Sequence, residues 1–291
     1  MVADPSSGAA AKRPEGLIVA KRRYGFTEAK MAKFEEAGRG RGHGPDYRPW
    51  LTIHDVSSHG RSHRIRGATA GRVHHLLSDI ELAVFLECDW HPGVVDIREQ
   101  FPLDRNETKP IAAEMRVRHP QDRGVDVVMT TDLLVDYERG GVRGQVAIAV
   151  KPASQFRNAR VAEKLEIERR YWARRAVSWR LVTDKQTSRT RTLNLAWLHE
   201  ARWLDHLDMP DPEHWRRRCA ALASALPHFG GCSVREFNSR LEGALGWEAG
   251  AALFAIRHMV ANRVIEIDLD VPFDASGPIQ QLKLARGSDR A

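Results

Sequence analysis

The chain has 291 residues, 42% of them hydrophobic and 29% charged, with 45 Lys+Arg against 38 Asp+Glu for a formal net charge of +7. That length accommodates one large or two ordinary domains, with enough apolar residues for a sizeable core. There is no apolar run of membrane-spanning length and no signal-peptide core, so a cytoplasmic protein is expected. The arginine-rich basic balance suits a polyanionic partner, and the odd, scattered Cys88, Cys219 and Cys232 exclude a disulfide framework and a paired-cysteine zinc site.

Residues 1–25 carry Ala, Ser, Pro and charge with little to bury, which predicts a disordered N-terminus. Thr27 to Glu36 reads as a short charged helix. Gly38 to Gly44 is a basic Gly-Arg repeat without the Gly-Lys-Ser/Thr of a phosphate-binding loop. Pro49 to Val56 reads as the first strand. Leu77, Ile80, Val84 and Cys88 recur at helical spacing and predict a helix from Val73 to Cys88, with His74-His75 at its start. Val94 to Leu103 is a predicted strand, and residues 104–124 are turn-rich around a short helix near Ile111 to Arg116. Two β-branched strands follow at 127–137 and 145–151, then a basic helix from Arg157 to Val177 and a strand at 179–183. This alternation predicts an α/β fold with a mixed sheet flanked by helices.

Beyond the polar run at 184–190 the pattern turns helical, at 193–207, 211–225, 233–244 and 248–261, before a strand-like stretch at 263–271. Helices followed by a short hairpin outline a winged-helix-like domain. The expected organisation is therefore a main domain at 26–186, a second at 187–275 and a tail at 276–291.

Polar residues on apolar faces locate the chemistry. Asp132 shares one strand face with Val128, Thr130 and Leu134, where a bare charge is costly and must find a cation or hydrogen bonds. Lys151 ends the next strand on the face of Ala149. Glu81 sits beside the apolar stripe of its helix, and Glu168 lies three residues after Leu165 and four before Trp172. Helix Glu, strand Asp, strand Lys is a set suited to metal-assisted DNA hydrolysis. Glu81, Asp132 and a carbonyl near Val150 would hold Mg²⁺, Lys151 would face the phosphate, and Glu168 would complete the shell or hold Lys151. Glu168 could also pair with Lys164, four residues earlier. The His199-Glu200 pair is followed by Trp203, so the zinc-protease motif fails.

Five words in order resemble the TnsA family, the endonuclease subunits of heteromeric transposases. They run Pro49 to Ser58, His75 to Glu81, Asp96 to Leu103, Val128 to Leu134 and Lys164 to Trp172. The resemblance implies a restriction-endonuclease-like catalytic domain with metal-binding acids at Glu81 and Asp132, a catalytic lysine at Lys151 and a further acid at Glu168. It also implies Mg²⁺ (with Mn²⁺ substituting), cleavage at the 5′ ends of a transposon, and three partners: transposon-end DNA, a TnsB-like transposase and a TnsC-like AAA+ regulator. The chain departs from such nucleases at Ala149, where an acid or Gln is usual two residues before the lysine; either Gln145 or Glu168 compensates, or cation binding is weaker. A stand-alone restriction or repair nuclease, and a lapsed nuclease acting as an adaptor, fit the same residues.

Overall fold

A computed structural model describes residues 25–56, 61–205, 207, 211 and 213–285. The expected disordered segment at 1–25 lies outside these residues except for Gly25. Among the described residues no helix is long and apolar enough to cross a membrane.

Helix α1 (Glu28–Glu36), capped by Thr27, packs Met31 and Phe34 against Trp50. Strands β1 (His63–Arg66) and β2 (Val73–Leu76) form a small antiparallel pair beside helix α2 (Asp79–Trp90). Four strands make the main sheet: β3 (Val94–Pro102), β6 (Thr130–Arg139), β7 (Val142–Val150) and β8 (Ser178–Val182). They lie in the order β3-β6-β7-β8, antiparallel except for the parallel β7–β8 pair. Between them in sequence come helix α3 (Arg105–Glu114), the short hairpin β4 (Gln121–Asp122) and β5 (Val125–Asp126), and helix α4 (Ala159–Arg174). Ile97, Leu133, Val135, Ile148 and Val150 face the core shared with α2; Leu134 and Ala147 face Ile167, Tyr171 and Trp172 on α4 and Ile111 on α3. This is the expected mixed sheet flanked by helices.

The second region has helices α5 (Arg189–Glu200), α6 (His214–Ala225), α7 (Val234–Leu245) and α8 (Ala251–Ala261), then the antiparallel pair β9 (Ile265–Glu266) and β10 (Lys283–Leu284). Leu195 and Leu198 of α5 join the same apolar cluster as Leu86 of α2, and Arg191 pairs with Glu87 at 2.7 Å.

Three expectations are corrected. Pro49 to Val56 is not a strand: the Asp55 carboxylate accepts from Thr52 N (2.9 Å) and Thr52 Oγ1 (2.6 Å) and pairs with Arg39, so a side chain takes the backbone donor a ladder would need. Val73 to Leu76 is strand rather than helix, because Ser78 caps α2 through Glu81 N and the helix begins only at Asp79. Within the expected tail, Ile279 and Leu282 are buried and β10 closes on β9, because this segment supplies apolar side chains that the helical domain needs.

His74 is buried in strand β2. Its Nδ1 meets Glu99 Oε2 at 2.8 Å, Arg72 binds both oxygens of the same carboxylate, and Gly67 lies so close that a Cβ would stand 2.5 Å from His74 Nε2. Burial opposes ionisation of Glu99, but hydrogen bonds from Arg72 and His74 hold its carboxyl down to about 2. Replacing Glu99 with Ala strands a buried guanidinium, and the expected loss is about 3–5 kcal/mol. A urea unfolding midpoint unchanged from wild type would refute this account.

Candidate active site at a forked sheet

The main sheet splits where Asp132 lies. Pairing between β6 and β7 ends at Leu133–Ile148. Beyond that point β6 stays with β3 as far as Thr130, and β7 stays with β8 as far as Val150. The Asp132 carboxylate fills the fork: Oδ2 accepts from Val150 N at 2.6 Å and from Lys151 Nζ at 2.9 Å. Lys151 Nζ also donates to Val150 O at 2.8 Å. One side chain thus replaces a rung of the ladder and leaves the strand ends apart.

Glu81 and Glu168 converge on Asp132 from helices on opposite faces of the sheet. Glu81, in the first turn of α2, accepts from Leu77 N (2.9 Å) and Ser78 Oγ (3.0 Å). Glu168 of α4 accepts from Thr131 Oγ1 at 2.8 Å, and Thr131 in turn accepts from Trp172 Nε1 at 2.7 Å. Its partner is therefore Thr131 rather than Lys164. Burial, and next the charge of Asp132, push the carboxyls of Glu81 and Glu168 up to about 7. Burial pulls the Lys151 ammonium down, but Asp132, Glu168 and Glu81 outweigh it and raise its pKa. The structure thus gathers all the sequence-predicted site residues, the Val150 carbonyl included.

Gln100 belongs with them and was not predicted. It stands opposite Asp132 on β3, where the β3–β6 register skips a pair, and its φ is +48° in mid-strand. Its Nε2 lies 3.4 Å from both Glu81 Oε2 and Asp132 Oδ1, while Thr130 Oγ1 donates to its Oε1 at 3.0 Å. Trp50 N donates to its backbone oxygen. A buried non-glycine residue with positive φ is uncommon, and such strain concentrates at functional sites. Nothing in the periodicity marks it, because Gln100 follows Asp96, Arg98 and Glu99 in a strand that is already rich in polar residues. Gln145, offered as a substitute for the missing acid at Ala149, is elsewhere: its Nε2 donates to Asp136 at 2.8 Å. Ala149 is fully buried.

A second group, His43, Asp96 and Asp136, brings ligand-type atoms within 4.8 Å of one another. Arg98 sits among them, 2.6 Å from Asp136 and 3.5 Å from Asp96, so a cation is already supplied by the chain.

An acid–lysine fork in a mixed sheet flanked by helices defines a nuclease of the restriction-endonuclease type. Residues 91–184 match the family described as TnsA-like endonuclease N terminal, and residues 187–269 match TnsA endonuclease C terminal. The first match includes Asp132, Lys151 and Glu168 and begins after Glu81. The chain is also 41% identical over 262 residues to the transposon Tn7 transposition protein TnsA of Escherichia coli, covering 89% of this chain and 92% of that protein. This chain belongs to the TnsA endonuclease family.

The raised carboxyl of Glu168 has a consequence for stability. A folded-state pKa of about 7 lies above the unfolded value of about 4.3, so the folded state binds the proton more tightly. Stability therefore falls as pH rises from about 4 to about 7 and stays low above that. Glu168→Gln removes this penalty while keeping a group for Thr131. The variant is expected to be more stable than wild type at pH 8, on the order of 2 kcal/mol, with the difference fading towards pH 4. Denaturant titrations at the two pH values measure it, and equal stability at both would contradict the burial argument.

Proposed function

We propose that this chain is the metal-dependent DNA endonuclease subunit of a heteromeric transposase, hydrolysing the phosphodiester at the 5′ ends of the transposon for cut-and-paste transposition. The observation that carries the reading is the fork itself: Asp132 and Lys151 held at diverging strand ends, with Glu81 and Glu168 brought in from two helices.

The donor set fits a hard divalent cation such as Mg²⁺, with Mn²⁺ as a substitute. Glu81, Asp132 and the Val150 carbonyl offer oxygen only, and two carboxyls held near neutrality by burial and by Asp132 mark a cluster short of positive charge. When bound, such an ion polarises the scissile phosphate and lowers the pKa of an attacking water.

The chain's own residues do the rest. Lys151 Nζ now sits between Asp132 Oδ2 and Val150 O, the two oxygens a cation would share. With a cation held there, the Lys151 ammonium would face the phosphate, where it would orient the nucleophile or stabilise developing charge. Glu168 stands behind Lys151 as its acidic counterpart or as an outer ligand. Gln100 spaces the two principal acids and, with its amide reversed, presents an oxygen to the same point; it takes over the position that Ala149 leaves without a donor.

Residues 26–186 act as the endonuclease domain in this reading, and residues 187–275 as a winged-helix-like module. That module would contact a TnsC-like AAA+ regulator, while a TnsB-like transposase cuts and joins the 3′ ends. The relative's description as a transposition protein and the separate match at 187–269 support this division.

The test is strand-specific cleavage of labelled transposon-end DNA in the complex assembled with the neighbouring transposase and regulator, in Mg²⁺ and then Mn²⁺. Asp132→Ala and Lys151→Ala are each expected to lower the 5′-strand cut by at least about a hundredfold without preventing assembly. An undiminished cut in either variant would assign the chemistry elsewhere. No cut by wild type in an assembled complex would favour the adaptor reading.

A further inference from the structure

The basic residues of α4 fall into two electrostatic classes. Arg169 and Arg170 both pair with Glu166, Arg174 pairs with Glu114, and Arg175 pairs with Glu107. Each of these arginines thus has a carboxylate partner in its own chain, with Glu166 shared by two. At the other end a groove opens between the β4–β5 hairpin and the start of α4. It is lined by Arg118, His119, Gln121, Arg123, Arg160 and Lys164, together with Pro120 and Gly124, and no carboxylate lines it. Arg160 pairs with Glu163. Among the described residues, Arg118, Arg123 and Lys164 have no carboxylate partner.

Like charges gathered without counter-charge destabilise a fold unless an anion joins them. Lys164 is exposed, and its pKa is lowered first by partial desolvation and then by the charges of Arg160 and Lys151. The last of these also locates the groove beside the cleft. Lys164 is one helical turn, about 5.4 Å, before Glu168, and that span lies between one and two of the 3.4 Å steps of a DNA strand.

We infer that the groove formed by Arg118, Arg123, Arg160 and Lys164 seats backbone phosphates of the DNA next to the scissile one, and so holds the DNA at the fork. This rests on the endonuclease reading. The recognised chemistry is the phosphodiester backbone, so the contacts carry position rather than base sequence. The carboxylate-paired end of α4 takes no part.

The experiment uses the full-length protein assembled with its transposase on labelled transposon-end DNA. The rate of the 5′-strand cut is followed across salt from about 50 to about 200 mM, at limiting and at saturating DNA. R118Q/R123Q/K164Q is compared with wild type and with R174Q/R175Q. For the groove variant the plot of log rate against log salt, at limiting DNA, should become shallower by about two to three, at about 0.9 per lost phosphate contact. The deficit should be at least about tenfold at low salt. Saturating DNA should restore the rate, and R174Q/R175Q should match wild type. All three residues are exposed, and an unchanged melting profile confirms that the variant folds. An unchanged salt slope overturns the proposal; if regulator binding is lost at the same time, the groove belongs to an acidic protein segment. An equal loss in both variants overturns the distinction between the two ends of α4. A wild-type complex that assembles but makes no cut refutes the endonuclease reading instead, while a groove variant that then binds DNA with a shallower salt slope would still support the phosphate seat.

Discussion

A carboxylate standing where a backbone rung should be is the constraint on which the site depends. Strands β6 and β7 pair regularly until Leu133 and Ile148, and there the Asp132 side chain takes the Val150 N–H that β6 would otherwise engage. The unpaired donor is satisfied, so the sheet diverges without leaving a buried N–H orphaned. The divergence sets Lys151 beside its acid. Substituting an apolar residue at Asp132 would both remove an acid and reopen the question of where the Val150 N–H bonds, so fold and chemistry share one group.

Two kinds of buried carboxylate show how the fold separates support from function. Glu99 is held by Arg72 and His74, and its carboxyl lies near 2. Glu81 and Glu168 are equally buried, yet burial and next the charge of Asp132 push their carboxyls to about 7, with Lys151 opposing. Glu99 and Gln100 are neighbours on β3. One serves the satisfied network under β2, and the other reaches the under-compensated cluster across the strand. The positive φ at Gln100 accompanies this change of side, and Trp50 N fixes the displaced carbonyl. The Glu99 pair is closed by its own counter-charges, whereas the cleft around Asp132 is left with three carboxyls about one lysine.

The sequence made the strands and the acids legible because apolar periodicity exposes a polar residue on a buried face. Asp132, Lys151 and Glu168 stand out against Leu134, Ala149 and Leu165 by that rule alone. Glu81 was legible too, but its helix was begun six residues early. The word Ser78-Asp-Ile-Glu81 is a capping signature, and it sets the true start at Asp79. Glu81 therefore has two roles, capping its own helix and facing the cleft, and periodicity sees neither. Pro49 to Val56 misled for the opposite reason: Leu51, Thr52 and Ile53 have strand propensity, but Asp55 captures Thr52 locally. Gln100 was invisible because its role comes from a backbone conformation rather than a spacing. The long basic helix looked uniform in sequence, since four of its partners, Glu107, Glu114, Glu163 and Glu166, become partners only once the chain is folded or coiled.

The helix that carries Glu81 also joins the two regions of the chain. Its first turn faces Asp132; its last turns face α5, where Leu86 packs with Leu195 and Leu198 and Glu87 meets Arg191. Asp89, almost fully buried, accepts from Ala68 N at 3.0 Å and Thr69 N at 2.8 Å, and lies 3.8 Å from His199. A helix of this length is a rod of about 18 Å, too short to bend appreciably. Its position over the fork is therefore set by both of its ends. Without α5 the apolar face at Leu86 would be open to water and the buried Asp89 would lose the element packed above it. The second region thus completes the surface against which α2 rests, and the placement of Glu81 depends on a contact made by the helical part of the chain.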